Sequence, residues 1–226
     1  MKYIVDHIPK STPYKRRQGL SMKAEYITIH NTGNEKSTAR NERDWLTNPT
    51  NKRQASFHIA VDDIEAIECI PLNENAWHSG DGLNGTGNRK SIGIEICESG
   101  NYAKTLDNAV ELVAKMLLER GWGIDRLRRH FDWSKKICPR KMYDSGTWKG
   151  WFSFLNQVDQ KINELKNGDD ERLKLQEYQW NMLVDKLKKC RDDGEFSAEQ
   201  WVDKALNRTL TVSDLVWLHF IIDDKM

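Results

Sequence analysis

No apolar run in this chain approaches the roughly 20 residues that span a bilayer, so no membrane-spanning helix is expected. The opening Met1-Lys2-Tyr3-Ile4-Val5-Asp6-His7 lacks the apolar core of a secretory leader. That absence predicts synthesis in a cytoplasm, with any work outside dependent on a separate release. Cysteine is scarce: Cys69, Cys97, Cys138 and Cys190 are the four, and no CxxC occurs. A disulfide scaffold is thereby excluded, and reduced thiols fit the same compartment. A net charge of only +1 gives no case for nucleic acid. No internal repeat is evident. No motif sets an oligomeric state.

What charge there is lies unevenly. Residues 167–226 hold 9 Lys/Arg against 13 Asp/Glu, and residues 1–166 hold 26 against 21. A basic body of +5 and an acidic tail of −4 suggest two units, which fits a length of 226 residues. Lys166-Asn167-Gly168-Asp169-Asp170 breaks the pattern between them. The expected domains are therefore residues 1–166 and 171–226.

Residues 1–24 are polar and basic and are expected as an extended arm over the surface. Tyr26–His30 alternates as a strand, with Ile27 and Ile29 on one face and Thr28 and His30 on the other. Ser37–Leu46 reads as a helix. Ser56–Val61 reads as a second strand, and Ala66–Ile70 completes a hairpin with it. Ser91–Cys97 is the clearest strand: Ile92, Ile94 and Ile96 share one face, Gly93, Glu95 and Cys97 the other. A long helix carries Leu106, Ala109, Val110, Val113, Met116 and Leu117 and stops at Gly121. Another spans Trp148–Leu165, with Phe152, Leu155, Val158 and Ile162 on one side. The tail reads as three short helices, the second opened by a capping box of Ser197 and Gln200, the third from Thr211 through Leu215, Leu218 and Ile222. The fold class is α/β, a mixed central sheet flanked by helices, followed by a small all-α domain.

The chemistry is organised around Arg129–Pro139. It sets His130 and Cys138 eight positions apart in a polar stretch, with His30 as the expected partner. Two imidazoles and one thiolate describe a catalytic zinc site, whose fourth position stays open for water. The bland alternative is a packed core histidine and a packed thiol. His30, His58 and Glu95 each lie on the polar face of an apolar strand, so the three can line one side of one sheet. A carboxylate centred in an Ile-rich strand is costly to bury unpaired; a metal-bound water would supply a reason for it, and the bland alternative is a buried salt bridge or hydrogen bond. For His58, an ordinary satisfied side chain is the stronger reading. Asn75–Gly82 leads to Glu95 through Gly80-x-Gly82-x-x-Gly85, which matches a dinucleotide fingerprint by letters. That reading fails, because the glycines lead into a strand rather than opening a helix. A cleft rim is expected instead, with Trp77 and His78 available for substrate binding.

Ile29-His30-Asn31-Thr32, Ser56-Phe57-His58, Ala76-Trp77-His78-Ser79-Gly80, Ser91–Glu95 and His130 through Cys138-Pro139, in that order, resemble the type-2 N-acetylmuramoyl-L-alanine amidases, particularly endolysins of phages and prophages of Bacillus-like hosts. The resemblance covers about residues 1–165. It implies a zinc-dependent hydrolase of bacterial peptidoglycan, with one Zn2+ per chain, which cuts the amide between N-acetylmuramic acid and L-alanine after release from the host cytoplasm. His30, His130 and Cys138 resemble the zinc ligands, Glu95 the carboxylate that polarises water, and Lys136 the cation facing the oxyanion. Some relatives add a tyrosine after the first histidine; residues 33–47 contain none. Arg128 and Arg129 are assigned to solubility or a glycan carboxylate. The alternatives are a non-catalytic peptidoglycan-binding module on the same fold and a zinc peptidase of the stem peptide. For the tail, wall targeting competes with simple helix packing or dimerisation. Trp180, Trp201 and Trp217 form either a glycan platform or helical core.

Overall fold

Six strands build one sheet in the order β1-β4-β3-β5-β2-β6. In chain order they are β1 (Lys2–Val5), β2 (Tyr26–Asn31), β3 (Ile59–Val61), β4 (Glu65–Glu68), β5 (Ser91–Ile96) and β6 (Leu127–Arg129). Only β3 and β4 pair antiparallel, as the expected hairpin; all other neighbours are parallel. The computed structural model describes residues 1–168, 172–193, 199–215 and 218. The chain divides into two compact units, Met1–Ile162 and Asn163–Met226.

The helices are α1 (Ala39–Thr47), α2 (Thr86–Lys90), α3 (Tyr102–Glu119), α4 (His130–Ser134), α5 (Lys149–Gly168), α6 (Glu177–Asp192) and α7 (Glu199–Leu206). Thr38 caps α1 through a reciprocal bond with Asn41, and Asn101 caps α3 by accepting from Lys104 N–H. Ala109, Val110, Val113, Met116 and Leu117 are buried as their spacing predicts, and α3 lies against β3 and β5. On the other face α1 contributes Ala39 and Leu46 to a core with Phe57, Ala60, Ile67 and Cys97. That face also carries Glu95, which stands in register with Ala60 on one side and His30 on the other.

Three expectations need correction. Residues 1–24 are not a surface arm: Lys2–Val5 forms the parallel edge strand, and Ile8, Arg16 and Met22 are buried. A four-residue edge strand is too short for its alternation to be read in the sequence. The second strand is only Ile59–Val61, and His58 precedes it. In α5 Val158 and Ile162 are buried as expected, but the stripe continues through Phe154 and Trp151 rather than Leu155 and Phe152, and Phe152 is exposed.

Arg16 is the least expected core residue. Its guanidinium donates to the carbonyls of Leu46 (2.9 Å) and Arg53 (3.0 Å), and to that of Asn51. It makes a longer bond to the Asn48 carbonyl, 3.4 Å. Residues 46–53 are thus wrapped around one buried cation.

In the second unit, Trp180, Val184, Leu187, Val202, Ala205, Leu210 and Leu218 form a core, with Trp201 packed against it. Trp180 is therefore helical core, while Trp201 is half-buried against it. Trp217, Ser197 and Ile222 fall outside the described residues. The helix α5 runs on to Gly168, past the division at Ile162.

Candidate functional site

Parallel pairing of β2 with β5 sets His30 directly opposite Glu95. The end of β6 passes into α4, which delivers His130, and the loop after α4 returns Cys138 to the same place. Lys135 makes this return possible by taking a left-handed conformation at the end of α4 (φ 65°). Sequence separations of 100 and 108 residues collapse to contact. His130 Nδ1 lies 3.0 Å from His30 Nδ1, and Cys138 Sγ lies 3.7 Å from the same atom.

Among the described residues this is the one group of three buried donors that could hold a metal ion, with ligand atoms within 4.8 Å of one another. Two nitrogens and one sulfur converging on a point suit a tetrahedral d10 cation such as zinc. The surroundings fit as well. Burial, and next the charge of Lys136, push His130 down to about 4, which keeps an imidazole lone pair available. His30 is driven well below its ordinary value, by burial first and then by His78. Burial, reinforced by Glu95, raises the Cys138 thiol to about 12, and a cation at this point would reverse that shift.

Glu95 Oε1 is 4.0 Å from His30 Nδ1. Its other oxygen is buried without a hydrogen-bond partner among the described residues. Burial, and secondarily Glu42, push this carboxyl up to about 8. Lys136 is exposed, lines the cleft and acts electrostatically on His30, His130, Glu95 and Cys138. The five expected groups are thus brought to one place.

The cleft above them has a volume of about 1460 Å³, walled by α1, by residues 47–57 and by Trp77. Small-molecule pockets usually measure roughly 300–1,000 Å³, so this opening suits a segment of polymer. Trp77 remains at the wall, with its indole N–H unpartnered among the described residues. His78 also lines the cleft, but its ring is turned inward. It is 7% exposed, and both ring nitrogens are engaged inside, one with His30 and one with the Ser91 carbonyl. His58 is likewise internal, bonded to the Glu74 carbonyl and to Gly93 N–H. Arg129 pairs with Asp132 and lies over Trp148, and Arg128 lies over Tyr26. Arg16 and the inward role of His78 were missed; a Trp-His pair in a loop carries no sign of which ring turns in.

A buried N,N,S donor set beside a carboxylate with one oxygen unpartnered among the described residues, on the floor of an open cleft, has the donor chemistry that metal-dependent hydrolases use. Residues 20–141 match the N-acetylmuramoyl-L-alanine amidase family, and the chain belongs to that family. It is 50% identical over 149 residues to the N-acetylmuramoyl-L-alanine amidase CwlA of Bacillus subtilis (strain 168), covering 64% of this chain and 54% of that protein. It is 50% identical over 152 residues to XlyB of the same strain, covering 66% and 45%. The chain therefore spans about half the length of these curated relatives. The solved catalytic domain of XlyA superposes with a TM-score of 0.63 at 41% identity, covering 70% of this chain and 99% of that one. PlyL gives 0.62 at 39%, covering 70% and 98%.

Proposed function

We propose that the chain hydrolyses the amide between N-acetylmuramic acid and L-alanine in bacterial peptidoglycan, using one zinc ion held by His30, His130 and Cys138. The observation that carries this reading is the convergence of those donors beside Glu95, whose Oε2 has no hydrogen-bond partner among the described residues, in a member of an amidase family. A zinc ion held there supplies Lewis acidity to the scissile carbonyl and the attacking water.

The chain's own groups do the rest. Glu95 takes the proton from the attacking water and returns it to the alanine nitrogen as the carbon–nitrogen bond breaks. Its raised pKa suits both halves of that transfer near neutral pH. Lys136 places a positive charge at the cleft beside the donor group, where the carbonyl oxygen becomes an oxyanion. Trp77 lines the cleft and offers its apolar indole to the sugar or the peptide. The place of action on this reading is the cell wall. Among the described residues no helix is long and apolar enough to cross a membrane.

Purified walls provide the test: hydrolysis releases peptides with a new alanine amino terminus, whereas a non-catalytic binding module on the same fold releases nothing. For the tail we propose wall delivery, motivated by its separate core and its opposite charge balance. A chain ending at residue 166 should keep turnover on soluble muropeptides and sediment less with intact walls. Equal sedimentation of the two chains would leave the tail a packing element.

A further inference from the structure

His78 stands directly behind His30, with its ring turned inward from the cleft. Its Nε2 lies 3.1 Å from the Ser91 carbonyl oxygen, which can only accept, so Nε2 carries a hydrogen. A neutral imidazole holds one ring hydrogen, and His78 Nδ1 is therefore bare. His30 Nε2 lies 3.0 Å from that bare nitrogen, so the hydrogen between them belongs to His30. With Nε2 protonated, the lone pair of His30 is on Nδ1, the atom that faces His130 and Cys138. Ser79 Oγ also lies 3.0 Å from His78 Nδ1 and can donate to it without changing this assignment.

We propose that His78 is a positioning residue that fixes the Nε2–H tautomer of His30 and so holds its Nδ1 lone pair ready for the metal ion. This inference rests on the metal reading of the His30–His130–Cys138 group. The surrounding fold is built to keep the ring in place. A side chain on Gly93 would put a carbon 2.7 Å from His78 Cγ, so β5 forgoes a side chain where the ring lies. His58 meets His78 edge-on at 5.7 Å and is itself locked: its Nε2 donates to the Glu74 carbonyl, and its Nδ1 accepts from Gly93 N–H. The other two donors have their own supports, His130 from the Ser79 backbone and Cys138 from the Asn31 backbone. Residues 78 and 79 thus hold two of the three donors from behind.

Ligand histidines usually donate their second N–H to a carboxylate, a carbonyl or water, and losing such a partner typically costs about 10–100-fold in metal affinity or activity. A neutral imidazole in that place orients His30 without adding negative charge next to the cation.

Two variants of the full chain separate an acceptor from a space-filler. His78→Phe keeps a ring but offers no acceptor; His78→Asn is smaller but presents an oxygen near the position of Nδ1. Zinc affinity, measured by competition with a chromogenic chelator, should fall about 10–100-fold in His78→Phe and largely recover in His78→Asn. The reverse ranking would mean that His78 only fills space, and would overturn the proposal. Nitrogen-15 imidazole spectra of the zinc-free wild-type chain provide an arm that needs no variant. They should show His30 protonated at Nε2 and bare at Nδ1; a hydrogen on Nδ1 refutes the assignment even if both variants misfold. A wild-type chain that binds no zinc would sink the metal reading itself, while the zinc-free spectra still decide the tautomer.

Discussion

Replacing Arg16 by Met should destabilise the first unit far more than an ordinary surface substitution, which stays within about 0.5 kcal/mol. The guanidinium is fully buried and donates to the backbone carbonyls of Leu46, Asn48, Asn51 and Arg53. Met keeps most of the apolar stem and removes every donor. Hydrogen bonds to charged groups contribute about 1.5–3 kcal/mol each, and only the bond to Asn48 is long, at 3.4 Å. Their plain sum overstates the loss, because removing the cation also removes its burial cost, several kcal/mol. A net loss of about 3–5 kcal/mol results, set chiefly by the buried Leu46 carbonyl and in lesser part by the part-buried bonds to Asn51 and Arg53. For a unit of this size about 1 kcal/mol moves Tm by roughly 2–4 °C, so circular dichroism should show a fall of about 6–20 °C. Arg16→Lys, with one ammonium in place of a fork, should fall between the two. Residues 47–49, 53 and 54 line the cleft, so KM for walls should rise while zinc affinity stays near wild type. A Tm within about 2 °C of wild type for Arg16→Met would refute the clamp.

Cys138→Ser should reduce zinc occupancy, read by elemental analysis after dialysis, because a hydroxyl replaces the only sulfur donor of the group; full occupancy would remove Cys138 from the site. Lys136→Ala should bind zinc normally and lose about 10²- to 10³-fold in turnover, checked by amine release from walls. Glu95→Gln should also keep zinc and lose turnover. Glu95→Gln carries a stability prediction too, for the metal-free chain. The Glu95 carboxyl rises from 4.5 to about 8 in the fold, so between those values the folded chain binds a proton that the unfolded chain has released. Its contribution is fully present below about 4.5 and is lost as pH climbs toward 8. The buried histidines act in the opposite direction, since their depressed values favour the fold as pH rises. The Glu95 effect is therefore isolated as a difference: Glu95→Gln should gain stability relative to wild type as pH rises from about 5 to about 8, measured by denaturant unfolding, and a pH-independent difference would contradict it.

The legible parts of this chain were those with a strong period or a strong chemical type. Ile92, Ile94 and Ile96 against Gly93, Glu95 and Cys97 gave both the strand and the face on which the carboxylate lies, and the register with His30 follows from parallel pairing. His130 and Cys138 were legible because a thiol between lysines and a proline has no place in an ordinary core run. Lys2–Val5 was not legible, since a short edge strand takes its place from its partner β4 and not from its own pattern. Arg16 was hidden for a related reason: its acceptors are backbone carbonyls, which every residue has. In α5 the apolar residues satisfied two phases of one helix, and only packing chose Trp151 and Phe154 over Phe152.

The bond that is cut tests the central claim most directly. Purified peptidoglycan, incubated with the zinc-loaded chain, should gain amino-terminal alanine in step with solubilised peptide, with no new reducing sugar ends and with cross-links intact. The gain should vanish with a chelator and in Glu95→Gln. New amino groups on any residue other than alanine, or tight wall binding with no new amine at all, would contradict the account.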